Sequence, residues 1–151
     1  MKKIIAFCGH ASFKNTQEYE EKLTAILEKE VGDSAADMYL GGYGDFDELA
    51  YECCKKYKKN HNNISLVFVT PYITESYQRN HLSLCTEKYD CILYPEIESK
   101  PLKFAITYRN RYMVEKADFV IAFVNHAWGG AYETYRYAKR IGKATINIGN
   151  I

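Results

Sequence analysis

Apolar and polar positions along the chain follow two alternating periods. Lys3-Ile4-Ile5-Ala6-Phe7-Cys8 is an apolar run of strand length, and the polar segment 15–30 that follows carries Leu23, Ile26 and Leu27 at helical spacing. The unit repeats: Ala36 to Leu40 reads as a second strand, and Phe46, Leu49, Ala50 and Cys53 form a helical stripe behind it. Ile64 to Val69 is a strand apolar except for Ser65, a composition that suits burial on both faces of a parallel sheet. The middle of the chain is less regular, with a helix expected over 74–84, a brief strand at Cys91-Ile92-Leu93, and Pro95 and Pro101 bracketing an excursion over the sheet edge. A helix from Leu102 to Ala117 then leads into Asp118 to Val124, the clearest strand of the chain and one suited to a central position. Trp128-Gly129-Gly130 opens a last helix reaching Ile141, Gly142 ends it, and Ala144 to Ile148 closes the chain as a strand.

Such alternation predicts an α/β fold, a three-layer Rossmann-like arrangement with a mostly parallel central sheet. Residues 1–151 read as a single nucleotide-binding domain, because the length suits one core and no linker or low-complexity tract divides it. Ligands of such sheets bind beyond the carboxyl ends of the strands. No apolar run approaches the roughly 18 residues of a membrane span, and the run at Ile4 to Cys8 is too short for a secretory signal. We therefore expect a soluble, cytoplasmic chain without a membrane partner. The odd set of five cysteines fits reduced, mostly buried thiols, and their spacing gives no metal cage, so no metal site is expected. Twenty basic residues against 19 acidic ones, a formal charge of +1, supply no global field, and nucleic acid is not favoured as a partner on that ground. Fourteen tyrosines are the unusual feature of the composition, and rings with a polar tip suit a crevice wall or a subunit face.

Three strand ends run into glycine turns: Gly9-His10, Gly41-Gly42-Tyr43-Gly44 and Trp128-Gly129-Gly130. In a parallel sheet these turns share one edge, and the latter two precede helices whose free amides can face an anion. Neither turn is a Walker loop or a dinucleotide fingerprint, so a generic nucleotide pocket is the expectation. Acidic residues beside both turns, Asp45, Asp47 and Glu48 and then Glu133, serve either as helix caps or as readers of a ribose diol. Arg111 lies between Phe104 and Val114 on one helical face, so its guanidinium either snorkels or enters the crevice to meet an anion, while Arg109 projects elsewhere as the weaker candidate. His10 is placed to donate to phosphate, and Tyr43, Tyr72 or Trp128 to stack on a base.

The ordered elements Ile5 to His10, Gly41 to Asp47, Arg109-Asn110-Arg111 through Asp118, and Trp128 to Thr134 together resemble the SLOG superfamily over almost the whole chain. That group of Rossmann-like domains embraces the LOG nucleotide phosphoribohydrolases and the DprA-type DNA-processing proteins. The resemblance implies a pocket for a nucleotide or nucleotide-derived ligand in a homodimer or larger homo-oligomer, with no cofactor. It also implies ligand contacts at Gly9, His10, Gly41, Gly42, Gly44, Asp47, Tyr72, Arg109, Trp128, Gly129, Gly130 and Thr134. In the hydrolase motif, which resembles Pro-Gly-Gly-x-Gly-Thr-x-x-Glu, Gly129-Gly130 matches the paired glycines. Trp128 stands at the proline position, Tyr132 and Glu133 at the following glycine and threonine, and Arg136 at the glutamate. Ligand binding or sensing is therefore the leading expectation. The alternatives are cleavage of a nucleoside 5′-monophosphate to base and ribose 5-phosphate, with Arg111 and Glu133 as catalytic residues, and a DprA-like DNA-processing or interaction module. Whether the chain is an enzyme stays open at this point.

Overall fold

Each apolar run becomes a strand flanked by an amphipathic helix. A computed structural model describes residues 2–151. The strands are β1 (Lys3–Gly9), β2 (Ala36–Leu40), β3 (Ile64–Val69), β4 (Cys91–Leu93), β5 (Phe119–Phe123) and β6 (Ala144–Asn147). The helices are α1 (Gln17–Glu30), α2 (Asp45–Lys59), the single turns α3 (Glu75–Tyr77) and α4 (Ser83–Cys85), α5 (Ala105–Lys116) and α6 (Gly130–Arg140). One sheet forms with strand order β4-β3-β2-β1-β5-β6, and every neighbouring pair is parallel.

Strand periodicity sorts the side chains into two cores. Ile5, Phe7, Met38, Leu40, Leu66 and Phe68 face α1 and α2, where Leu23, Leu27, Phe46, Leu49 and Cys53 meet them. Ala6, Tyr39, Val67, Val69 and Val120 face the opposite way, against Met113, Val114 and Ala117 of α5 and Ala138 of α6. The fold is thus the three-layer Rossmann-like arrangement that the pattern predicts. β5 is interior, between β1 and β6. The chain builds outward from β1 to β4, crosses back, and continues on the other side of β1, so the strand order switches between β1 and β5. A crevice opens there, beyond the carboxyl ends of the strands. No described helix is long and apolar enough to cross a membrane.

The helix expected over 74–84 is the main departure. It forms α3, a π-helical turn at Gln78–Leu82, and α4, with Cys85 the one buried residue of the three pieces. Without an apolar stripe the segment has no face to dock, and hydroxyls compete for its backbone: Ser83 donates to the Arg79 carbonyl at 2.7 Å and Thr86 to that of Ser83 at 3.0 Å. Likewise α5 begins three residues later than expected, because Leu102–Phe104 forms an exposed 3-10 turn. Cys53, Cys54 and Cys85 are buried as expected, whereas Cys91 on the edge strand is exposed.

Gly9 owes its identity to packing. A Cβ there would stand 2.3 Å from the ring of Phe46, which is fully buried and has no room to retreat. Gly9→Ala should therefore lower stability by about 2–3 kcal/mol, the range of core overpacking. Gly130→Ala, with nothing within 4 Å of its new methyl, should stay within about 1 kcal/mol of wild type, on the stabilising side. Urea denaturation of both variants checks the pair, and an unperturbed Gly9→Ala would refute the packing account.

Candidate crevice and the basic groove beside it

Two helices point their amino termini at the crevice edge with nearly identical caps. Gly44 precedes α2 at φ 93°, ψ 174°, and Gly129 precedes α6 at φ 92°, ψ 171°, and neither helix has a side-chain cap. These positive φ values explain both glycines. Their surroundings differ completely. Ala11 packs on Gly44, where a Cβ would meet its Cα at 2.5 Å, and its carbonyl accepts the Asp45 N–H at 2.8 Å. The Asp45 carboxylate accepts the Phe13 N–H at 3.2 Å, and that of Asp47 accepts the Tyr43 N–H at 3.0 Å. With Glu48 these acids crowd the first turn of α2 with negative charge. Around Gly129 and Gly130 there is open space, and the one acid in the first turn of α6, Glu133, is exposed and 3.8 Å from Arg136. Of the two glycine turns, the one before α6 is the open, anion-compatible end.

Arg109 lies inside the molecule. It is 4% exposed, and its Nη1 donates to the carbonyls of Gly41 at 3.1 Å and Val69 at 2.8 Å, while its Nε donates to Asn110 at 2.8 Å. The sequence reading aimed this side chain elsewhere; the structure tucks it under the ends of β2 and β3. Gly41 leaves the passage, since a Cβ there would sit 3.1 Å from Asp47 Oδ2 and 3.4 Å from Arg109 Cζ. Burial pushes the Asp47 carboxyl up to about 6, against the opposing pull of the Tyr43 N–H and the Arg109 charge. Burial also pushes the Cys8 thiol up to about 12, with the Asp47 charge adding to the effect.

At the switch point three rings form a column. His10 stacks on His126 at 3.6 Å and His126 on Trp128 at 3.8 Å. His10 Nε2 accepts the Asn125 N–H at 3.1 Å, so its proton resides on Nδ1, and burial lowers its pKa, with His126 adding to the effect. Trp128 ends the column with a face 69% exposed. Tyr72 lies apart, edge-on to Tyr77 at 5.1 Å, and Gly42 packs toward Phe68. The buried Thr134 hydroxyl donates to the Gly130 carbonyl at 2.8 Å, so it is spent on its own helix.

Arg111 and Glu133 come together in a groove of about 730 Å³ between α5 and α6, with Arg136, Arg140, Tyr108 and Tyr137 also on its walls. The Arg111 guanidinium lies 5.1 Å from the Tyr137 ring centre and 5.7 Å from that of Tyr108, and Arg140 lies 5.2 Å from Tyr137. Sequence reasoning passed over Arg136 and Arg140. The available signal was the interleaving of Arg136, Lys139 and Arg140 with Tyr132, Tyr135 and Tyr137. The charge is layered as well. Helices α5 and α6 carry Arg109, Arg111, Lys116, Arg136, Lys139 and Arg140 against Glu115 and Glu133. On the other face of the sheet, α1 carries five acidic residues against two lysines, and α2 is balanced. No cluster of three or more metal-capable side chains occurs among the described residues.

Strand order, crevice and paired helix termini define a Rossmann-like domain. Within that class, the chain is similar in fold to DNA processing protein A from Helicobacter pylori, solved for its single-stranded DNA binding mode. The TM-score is 0.63 at 18% identity, over 96% of this chain and 64% of that one. DNA processing protein A from Streptococcus pneumoniae gives a TM-score of 0.63 at 15% identity, over 96% of this chain and half of the other. A structural-genomics target, TM1055, gives 0.56 at 14% identity, over 95% and 72%. The chain thus spans between half and two thirds of the length of the two DNA processing proteins. These identities establish fold alone. No family model and no curated protein matches the sequence. The likeness corrects one expectation, that nucleic acid is disfavoured as a partner. The same fold serves a single-stranded DNA binder in the Helicobacter protein, and a near-zero net charge here conceals opposed layers.

The Asp47 carboxyl binds its proton more tightly in the folded protein, at about 6, than at its ordinary 3.8. Its contribution to stability is complete below about pH 4 and is lost as pH rises through about 6. Wild type should lose up to about 3 kcal/mol relative to Asp47→Asn between pH 4 and pH 7. Asn keeps an acceptor for the Tyr43 N–H. Denaturation midpoints of both proteins across this range check the prediction, and a constant gap would refute it.

Proposed function

We propose that the protein binds single-stranded polynucleotide across the face formed by α5 and α6. The observation that carries this reading is the groove with Arg111, Arg136 and Arg140 on its walls, adjoining the open amino terminus of α6. Guanidinium groups and free amides suit backbone phosphates, and the exposed face of Trp128, two residues ahead of Gly130, suits an unstacked base. Support also comes from the fold shared with the Helicobacter DNA processing protein. Base readout by stacking tolerates sequence, so modest sequence preference goes with this mode.

A second reading, hydrolysis of a nucleoside 5′-monophosphate in a homodimer, is favoured by one observation: Arg111 and Glu133 line the same groove. In that reaction Arg111 holds the phosphate and Glu133 steadies the positive sugar or orients water. Chromatographic release of free base tests it, and turnover unchanged in Glu133→Gln would remove that residue from the mechanism.

Trp128 is the single tryptophan of the chain, so its emission reports on this face directly. A short oligothymidylate should quench it saturably. With three phosphates engaged, log affinity should fall with log salt at a slope of about −2. Arg136→Ala with Arg140→Ala should flatten that slope by about 1. Trp128→Ala should cost about 1–3 kcal/mol, read by anisotropy of a labelled oligonucleotide. Absence of quenching in the folded protein, or binding indifferent to salt, would overturn the reading.

A further inference from the structure

The glycine turn after β2 borders a second cavity of about 380 Å³, with Gly42, Asp47, Glu48, Tyr51, Lys88 and Tyr89 among its lining residues. The chemistry is opposite to that of the groove. Asp45 and Asp47 each accept one backbone N–H through a single oxygen, Oδ2. Glu48 forms no ion pair among the described residues. The walls are tyrosine rings. Tyr89 is 8% exposed, yet its hydroxyl has no hydrogen-bond partner among the described residues, and it sits beside Gly42, 3.5 Å from where a Cβ there would stand. A buried phenol with a free hydroxyl on a cavity wall calls for a partner. The cavity edge already holds a cation: the Lys88 ammonium lies 4.6 Å from the ring centre of Tyr51 and 5.9 Å from that of Tyr89. It makes no ion pair with the three carboxylates, so it covers the rings and leaves the acids free.

We propose that this cavity binds a small alkylammonium ion, and that Lys88 is its tethered competitor. An ammonium has three donors, which match the Asp47 and Glu48 carboxylates and the Tyr89 hydroxyl, while its alkyl part lies on the tyrosine rings. A hard divalent cation would demand six or more oxygens and gain nothing from the rings. An anion would meet three carboxylates. The site therefore differs in sign from the groove beside α6, and the proposal stands independently of polynucleotide binding.

The test is titration of the intact chain with butylammonium chloride, followed by amide chemical shifts. Saturable shifts should be confined to residues 42–48 and 88–89. Lys88→Ala should tighten binding roughly two- to fivefold by removing the competitor, and Glu48→Gln should weaken it by a similar factor. Neutral 1-butanol and calcium chloride serve as controls for apolar filling and for unspecific cation binding. Four results would each overturn the proposal: no saturation in either wild type or Lys88→Ala, unchanged or weaker binding in Lys88→Ala, unchanged binding in Glu48→Gln, or equal shifts with a control.

Discussion

The crevice depends on one buried charge. A guanidinium as deep as that of Arg109 costs several kcal/mol to bury unless its donors are satisfied. It finds carbonyls at the ends of β2 and β3, where the sheet ladder has run out of partners, with the Asp47 carboxylate alongside. Both sides gain: the carbonyls are paired and the charge is compensated. Because Arg109 is rooted in α5, on the opposite face of the sheet from α2, the contact pins one helical layer to the loops of the other. Gly41 must then stay small, and Asp47 is held where it also receives the Tyr43 amide. The turn after β2 is thereby shaped from within, and its amides are turned to structural use.

The second organising feature is charge held in layers. A formal charge of +1 averages a basic α5/α6 layer with an acidic α1. The layers stand on opposite faces of the sheet, farther apart than the screening length of roughly 8–10 Å at physiological salt, so each presents its own field. Tyrosines reinforce the basic layer. Tyr108 and Tyr137 spread their rings beneath the guanidinium groups of Arg111 and Arg140 and keep them extended over the groove. The hydroxyl of Tyr137 is bonded to Glu115, which occupies one of the two acids of this face.

The strands were legible because burial on both faces writes a continuous apolar run of set length, and β2, β3 and β4 have the bounds that the runs predict. Helix angle was less informative. Spacing along α5 separates Arg109 from Arg111 but does not say which side of the helix is deepest. Depth is set by β2 and β3, which are 40 and more residues away in sequence. The glycine turns looked alike because the backbone need is alike. Only Ala11, Phe68 and Tyr89, brought in by other elements, make one of them crowded and the other open. The stack of His10 on His126 spans 116 positions and has no local signature. Overall charge misled about nucleic acid because a sum carries no information about layers.

The twin caps give the sheet edge a polarity. Each helix brings about half a positive charge to its amino terminus, so equal geometry alone would make two equal anion sites. At α2 three carboxylates outweigh that half charge and reverse its sign. At α6 the single acid is matched by Arg136, and Arg111 and Arg140 add to what remains. An anion approaching this edge is therefore drawn toward α6 and repelled from α2, and the column of His10, His126 and Trp128 stands at the switch point of the sheet. A ligand with one anionic and one aromatic part has a single favourable orientation, with its charge toward Gly130 and its ring toward Trp128. Direction along the edge thus comes from side chains on helices whose backbones are the same.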